Sequence, residues 1–290
     1  MTSLPLYVHA GAHRTGTSSF QMCLHENRAA LGNAGLSLAY PGRDGIPSGD
    51  LALRLPGTIG MEVADKMYVR AQSTLKDHSA ERPLILSEEN ILGRMFHFMK
   101  GQFYPMAGPR CEVLRVAWAG PIAHVLLVIR PYDGLFVSGF RKRAEDNPVP
   151  PFNDLRPHYM AMDRGWPEIV KILRDSLRPE KLTVLPYEDR GTSVSLLERL
   201  VPDLATGAMV EPARIVNLSA TDAALEALQK VYVGGQKLRR RKWKTLIDLH
   251  GEDKEPRGFA AFSPQEVDEL SKRYAADLKE ISQMDGVSFG

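Results

Sequence analysis

A chain of 290 residues with 43% hydrophobic and 25% charged side chains can bury a sizeable core, which excludes wholesale disorder. Its formal net charge of +2 argues against a dedicated nucleic-acid binder. The first residues show no cationic segment followed by an apolar stretch, and no run approaches the roughly 20 apolar residues of a membrane span, so a cytoplasmic protein with Cys23 and Cys111 reduced is expected.

The predicted elements alternate strand and helix. Leu4 to Val8 reads as a strand and Thr17 to Ala30 as a helix, stopped by Gly32, Asn33 and Gly35. Leu36 to Tyr40 suggests a second strand, and residues 41–60, rich in Gly and Pro, a loop. A helix over Val63 to Asp77 follows, then a short buried strand over Pro83 to Leu86 that ends in Ser87-Glu88-Glu89-Asn90. Met95 to Pro109 has weak periodicity and reads as an irregular loop covering the core, or as a flap over a cleft. Val125 to Ile129 is apolar without alternation, as a strand buried on both faces of a parallel sheet requires. Pro131 breaks that strand, and Asp133 is placed to cap the next helix. Asp146 to Pro157, with four prolines, is predicted loop. Trp166, Ile169, Val170, Leu173 and Leu177 then share one helical face, and Leu182 to Leu185 forms a strand ended by Pro186-Tyr187-Glu188-Asp189. Beyond it the chain reads as helical, with a capping box at Ser263-Pro264-Gln265-Glu266 and an apolar stripe of Val267, Leu270, Tyr274, Leu278 and Ile281. The order predicts an α/β fold: a three-layer, P-loop-like parallel sheet flanked by helices, in one domain over residues 1–290, with its core in 4–190 and a mainly helical portion in 191–290.

Two segments bear on chemistry. Tyr7 to Gln21, YVHAGAHRTGTSSFQ, runs from strand through Gly11 and Gly16 into a helix opened by Thr17, Ser18 and Ser19. Backbone amides at such a turn point outward and the helix dipole favours negative charge there, which makes an anion cradle. The glycine spacing is that of a P-loop, yet Thr17 stands where an NTPase needs Lys, and the loop's cation is Arg14, before Gly16. The second segment, Val125 to Arg143, places Arg130 at a strand end and Ser138 on the following helix. A guanidinium fork and a nearby hydroxyl suit a phosphate.

Both segments resemble the nucleotide-binding elements of sulfotransferases that use 3′-phosphoadenosine 5′-phosphosulfate (PAPS), of the bacterial type. The first is similar to the family's 5′-phosphosulfate loop, with Arg14 in place of the usual Lys. The second is similar to its 3′-phosphate element. The resemblance implies that Gly11, Arg14, Thr15, Gly16, Thr17 and Ser18 hold the 5′ end of PAPS, that Arg130 and Ser138 hold the 3′-phosphate, and that Arg14 also serves catalysis. It is strongest over residues 4–190; beyond that it rests on Arg214-x-x-Asn217-x-Ser219 before a helix. The implied reaction is in-line transfer of the sulfuryl group to a hydroxyl or amine of a carbohydrate, lipid or small metabolite, without a metal. A glutamate at a comparable strand end serves as base in many relatives. Glu89 matches it and is preferred to Glu88, because adjacent side chains of an extended segment point to opposite sides.

Other residues carry weaker expectations. His9, His13 and His97 are minor candidates for the base, His9 being expected to pack or to bond the loop. The basic clusters Arg141-Lys142-Arg143 and Lys237 to Lys244 read as solvated faces that also attract anions. Acceptor specificity is expected in the loops near 41–60, 91–110 and 144–160. The rival readings are an ATP- or GTP-dependent kinase with a degenerate P-loop, which lacks the required Lys, and a non-catalytic descendant that binds nucleotide or glycan.

Overall fold

In a computed structural model, residues 4–57, 65–213 and 219–290 are described. Val63, Arg214 and Asn217 lie outside them. Six strands, β1 (Leu6–His9), β2 (Ser37–Ala39), β3 (Leu84–Ser87), β4 (Ile122–Ile129), β5 (Lys181–Pro186) and β6 (Val287–Phe289), form one sheet in the order β2-β3-β1-β4-β5-β6. Every pairing is parallel, with Val8 opposite Leu86 on one side and Val125 on the other. The central strands are apolar throughout because both of their faces are covered. Leu6, Val8, Leu86, Val125 and Leu127 join one buried cluster, whereas Ile85, Leu126, Val128 and Leu185 join another.

Eleven α-helices are found among the described residues: α1 (Thr17–Glu26), α2 (Arg28–Asn33), α3 (Asp65–Ser79), α4 (Ala107–Trp118), α5 (Tyr132–Ala144), α6 (Phe152–Met160), α7 (Trp166–Ile172), α8 (Ser193–Leu200), α9 (Asp222–Val233), α10 (Arg240–Leu249) and α11 (Pro264–Ser282). Phe20 of α1, Leu31 of α2 and Leu196 of α8 pack in the second cluster. Leu75 of α3, Leu114 of α4, Leu135 of α5, Ile169 of α7 and Leu270 of α11 pack in the first. The result is the expected three-layer α/β arrangement, with helices also towards the C-terminus.

Several boundaries differ from expectation. The helix predicted over Thr17 to Ala30 divides at Asn27, whose side-chain amide donates to Cys23 O (2.9 Å) and Val210 O (2.8 Å) and competes with the helical ladder. Met95 to Pro109 is less irregular than predicted: Met95–Lys100 is a 3-10 turn, and α4 begins at Ala107, with Pro109 tolerated in its first turn. The proline-rich segment before Pro157 is loop only to Pro151, because α6 starts at Phe152 and encloses Pro157. Asp133 lies in the first turn of α5, where its charge meets the helix dipole, and Pro131 holds the capping position instead. The C-terminal portion is not helical to its end: β6 adds a sixth strand beside β5. The capping box of α11 forms as read, and Leu270, Tyr274 and Ile281 of its stripe are buried.

Strand order, not strand direction, reverses between β1 and β4. β1 sends the chain to β2 at one edge, and β4 sends it to β5 in the other half of the sheet. In open parallel sheets the crevice at the carboxyl ends of such strands is where ligands bind. Both segments singled out in the sequence emerge there.

Candidate functional site

The loop after β1 is shaped from within. Arg14 (φ 63°) and Gly16 (φ 90°) adopt left-handed backbone conformations, and Gly16 caps α1. A Cβ on Gly11 would lie 2.3 Å from Thr17 Oγ1 and 2.8 Å from His9 Cε1, so only glycine lets β1 pass this closely. Thr15 Oγ1 donates to Ala12 O (2.6 Å), and Thr17 Oγ1 lies 3.3 Å from the same oxygen as a second donor. Gly16, Thr17 and Ser18 line a cavity of about 810 Å³, while Gly11 and the buried Thr15 do not. Gly11 and Thr15 shape the loop that carries these residues.

The Arg130 element meets this loop directly. Arg130 Nη1 donates to Arg14 O (2.8 Å), and its guanidinium lies 5.0 Å from the centroid of the Tyr187 ring. Its own carbonyl accepts from Trp166 Nε1 (3.0 Å), which fixes the end of β4. Arg14 Nε donates to Ser138 Oγ (2.7 Å) and Nη2 to Ser219 Oγ (3.2 Å). Arg14, Arg130, Ser138 and Ser219 are thus brought together from three separate parts of the chain.

Arg190 was not anticipated. It follows Tyr187-Glu188-Asp189 after β5, and its guanidinium lies flat against Gly16: a Cβ there would be 2.7 Å from Arg190 Cζ. It also lies 5.8 Å from the Tyr187 ring, and its Nε is buried without a hydrogen-bond partner among the described residues. The signal available in the sequence was a cation just past the carboxyl end of a parallel strand, three residues beyond a tyrosine. A cation beside the positive end of α1 is electrostatically unfavourable unless an anion joins the two. α1 has no acidic residue in its first turn to serve.

The two glutamates after β3 differ in burial but do not point to opposite sides: both carboxylates reach the Arg43 guanidinium. Glu88 is buried, pairs with Arg43, and accepts from Asn90 N (2.8 Å) and Asn90 Nδ2 (3.2 Å). Its carboxylate is engaged in holding the turn, which counts against the catalytic role it was given as second choice. Glu89 is partly buried, lines the cavity, and pairs with Arg43 Nε at 3.5 Å.

The histidines separate as well. His9 shares a hydrogen bond with Ser87 Oγ (3.0 Å) and packs on Phe20; burial, and secondly the Arg190 charge, push its pKa down to about 3. His13 lines the cavity between Tyr104 OH (3.3 Å) and Asn90 Oδ1 (3.2 Å), and burial pushes it down to about 4. His97 is buried and lines neither this cavity nor the smaller one beside it.

Charge in the larger cavity is mainly positive. Arg14, Arg43, Arg130, Lys142, Arg190 and Arg240 face Glu89, Glu145, Asp146 and Glu211. All four carboxylates are engaged: Glu89 with Arg43 (3.5 Å), Glu145 with Lys142 (2.9 Å), Asp146 as acceptor from Asn147 Nδ2, and Glu211 as acceptor from Ser193 N and Val194 N, each at 2.9 Å. The basic clusters contribute unequally. Arg141 is tied to Asp222 and to Ala220 O (2.7 Å), whereas Arg240 and Trp243 of the C-terminal cluster reach the cavity wall.

Fold and site together define an all-parallel α/β protein, covered on both faces, with a cation-rich crevice where its strand order reverses. No helix among the described residues is long and apolar enough to cross a membrane. Compared with protein-family models, curated proteins and solved structures, the chain matches none. Its function is therefore argued from the site alone.

Proposed function

We propose that this protein is a PAPS-dependent sulfotransferase that transfers the sulfuryl group to a hydroxyl or amine. The observation that supports this best is the convergence of Arg14, Arg130 and Arg190 on a glycine loop at the N-terminus of α1, with Ser138 Oγ bonded to Arg14. A ligand with phosphates at two ends suits this cluster better than a single-ended anion. The pieces present fit PAPS: Gly16, Thr17 and Ser18 border the cavity beside α1, and Arg130 and Ser138 stand one guanidinium away.

When bound, PAPS supplies an electrophilic sulfur: the acceptor oxygen bonds to it as the S–O bond to the 5′-phosphate breaks and the electron pair leaves with that phosphate. The residues of this chain have three tasks. Arg190 and the amides at the start of α1 stabilise charge at the 5′ end, as fixed donors that need no reorganisation. Arg130, with the Ser138 hydroxyl, selects the 3′-phosphate. Glu89 takes the acceptor's proton, being the member of the Glu88-Glu89 pair that lines the cavity.

The test is calorimetric titration with 3′-phosphoadenosine 5′-phosphate (PAP), AMP and ATP, on the wild type and Arg130→Ala. PAP is expected to bind at least tenfold more tightly than AMP, and the preference to vanish in the variant. Equal affinity for AMP and PAP, or no binding of either, refutes the proposal.

A further inference from the structure

Beside the loop lies a second cavity of about 510 Å³, and His13, Arg43, Glu89, Met95, Lys142 and Asp146 line both spaces. Its walls come from the segments near 41–60, 91–110 and 144–160 together with α5. The inner wall is aromatic: Phe98, Phe136, Phe140 and Tyr159 are almost wholly buried behind it, and the partly buried Phe96 also lines the cavity. Phe136 stacks on Tyr159 (5.1 Å between centroids) and meets Phe98 edge-on (5.6 Å), so the rings are held by their own packing. The phenylalanines offer no hydrogen bond, and a polar body pressed against them would lose its water without replacement.

The rim has the opposite character. Arg94 and Arg143 are exposed there, and neither has an ion pair among the described residues. The other cations on this wall are engaged, Arg43 with Glu88 and Lys142 with Glu145. Glu89 and Asp146 are the carboxylates of the lining, and both stand at the junction of the two cavities; Glu89 pairs with Arg43 and Asp146 accepts from Asn147 Nδ2.

We propose that this second cavity receives the acceptor, and that the acceptor is an anionic hydroxy compound with an apolar ring or chain, rather than a neutral carbohydrate. The inference rests on the sulfotransferase reading for the word acceptor, and on the cavity alone for the chemistry of the ligand. The apolar body lies on the phenylalanine wall, the anion meets Arg94 and Arg143, and the hydroxyl is left towards Glu89.

The experiment is calorimetric titration of p-hydroxyphenylbutanoate, its neutral amide and cellobiose, each with and without saturating PAP. It is run on the wild type and on Arg94→Ala/Arg143→Ala. The acid is expected to bind about tenfold more tightly than the amide, through two charge-assisted contacts, and cellobiose not to bind. In the double variant acid and amide should become equal, while PAP affinity and urea unfolding stay unchanged because both arginines are exposed. Equal binding of acid and amide to the wild type, preference for cellobiose, or no binding of any of the three overturns the inference. The PAP titration separates the two claims: arginine-dependent binding of the acid without binding of PAP would sink the sulfotransferase reading and leave the anionic cavity standing. PAP binding that needs its 3′-phosphate, with no advantage of acid over amide, would do the reverse.

Discussion

Replacing Arg190 tests whether the cation against Gly16 serves a ligand or the fold. Its contacts with the protein are slight: no ion pair or hydrogen bond of its side chain is found among the described residues, and Tyr187 lies 5.8 Å away. A cation–π contact of that kind is worth about 0.5–1 kcal/mol, so Arg190→Ala should cost no more than that in urea unfolding. A charge-assisted hydrogen bond to a phosphate is worth about 1.5–3 kcal/mol, which for PAP means roughly a 10- to 150-fold loss of affinity. Calorimetric titration beside urea unfolding reads both numbers on one preparation. Arg190→Lys keeps the charge without the planar fork and should recover part of the loss. Gly16→Ala should mimic the alanine variant, because the new Cβ would stand 2.7 Å from Arg190 Cζ, at a backbone φ of 90° that strains any other residue. PAP affinity within twofold of wild type, or an unfolding loss above about 2 kcal/mol, would refute the assignment and make Arg190 a structural residue.

Three further outcomes follow from the geometry. Glu89→Gln should lower PAP release from PAPS, with p-hydroxyphenylbutanoate as acceptor, by about 10²- to 10⁴-fold at unchanged PAP affinity, whereas Glu88→Gln should mainly cost about 1–2 kcal/mol in unfolding; the reverse pattern would exchange their roles. Gly11→Ala should cost about 1–3 kcal/mol by urea unfolding, since the added methyl meets Thr17 Oγ1 at 2.3 Å; a neutral result would mean that the loop yields freely. His9, His13 and His124 are held neutral, at about 3, 4 and 4 against an ordinary 6.5, so the unfolded chain binds more protons as pH falls below 6.5. Their share of the stability is complete above pH 6.5 and lost as pH falls through 4; at pH 5 each histidine should have cost about 2 kcal/mol, and an unfolding free energy equal at pH 7 and 5 would contradict it.

The strands were legible because burial on both faces leaves an uninterrupted apolar run, as at Leu84–Leu86 and Val125–Ile129. The start of β4 was hidden by His124, a polar residue that the interior accepts because its ring bonds Leu200 O (2.9 Å) and Thr183 Oγ1 (2.8 Å). β6 has three residues, two partly buried and one exposed, which is too short for a period to declare itself. Prolines misled in two places, since Pro109 and Pro151 stand at helix starts, where a missing amide hydrogen costs nothing. Local alternation was the argument for Glu89 over Glu88, yet both carboxylates reach Arg43. Arg190 could not be found that way: its contact with Gly16, 174 positions earlier, exists because β4 lies between β1 and β5 in the sheet.

The arginine at position 14 makes sense in this arrangement as it does not from sequence. Its Nε and Nη2 serve two acceptors, Ser138 Oγ on α5 and Ser219 Oγ before α9, that belong to different elements. The single nitrogen of a lysine cannot reproduce that fork, in which two donors diverge from a rigid plane. The left-handed backbone at Arg14 turns its carbonyl to Arg130 Nη1, so the same residue links the loop to the end of β4. Arg14 therefore faces the Ser138 side of the site, and Arg190, flat against Gly16, stands at the start of α1. The positive charge that a P-loop concentrates in one lysine after its second glycine is here divided between two arginines from distant parts of the chain. That division leaves position 17 free for threonine, whose hydroxyl turns back to Ala12 O and tightens the loop.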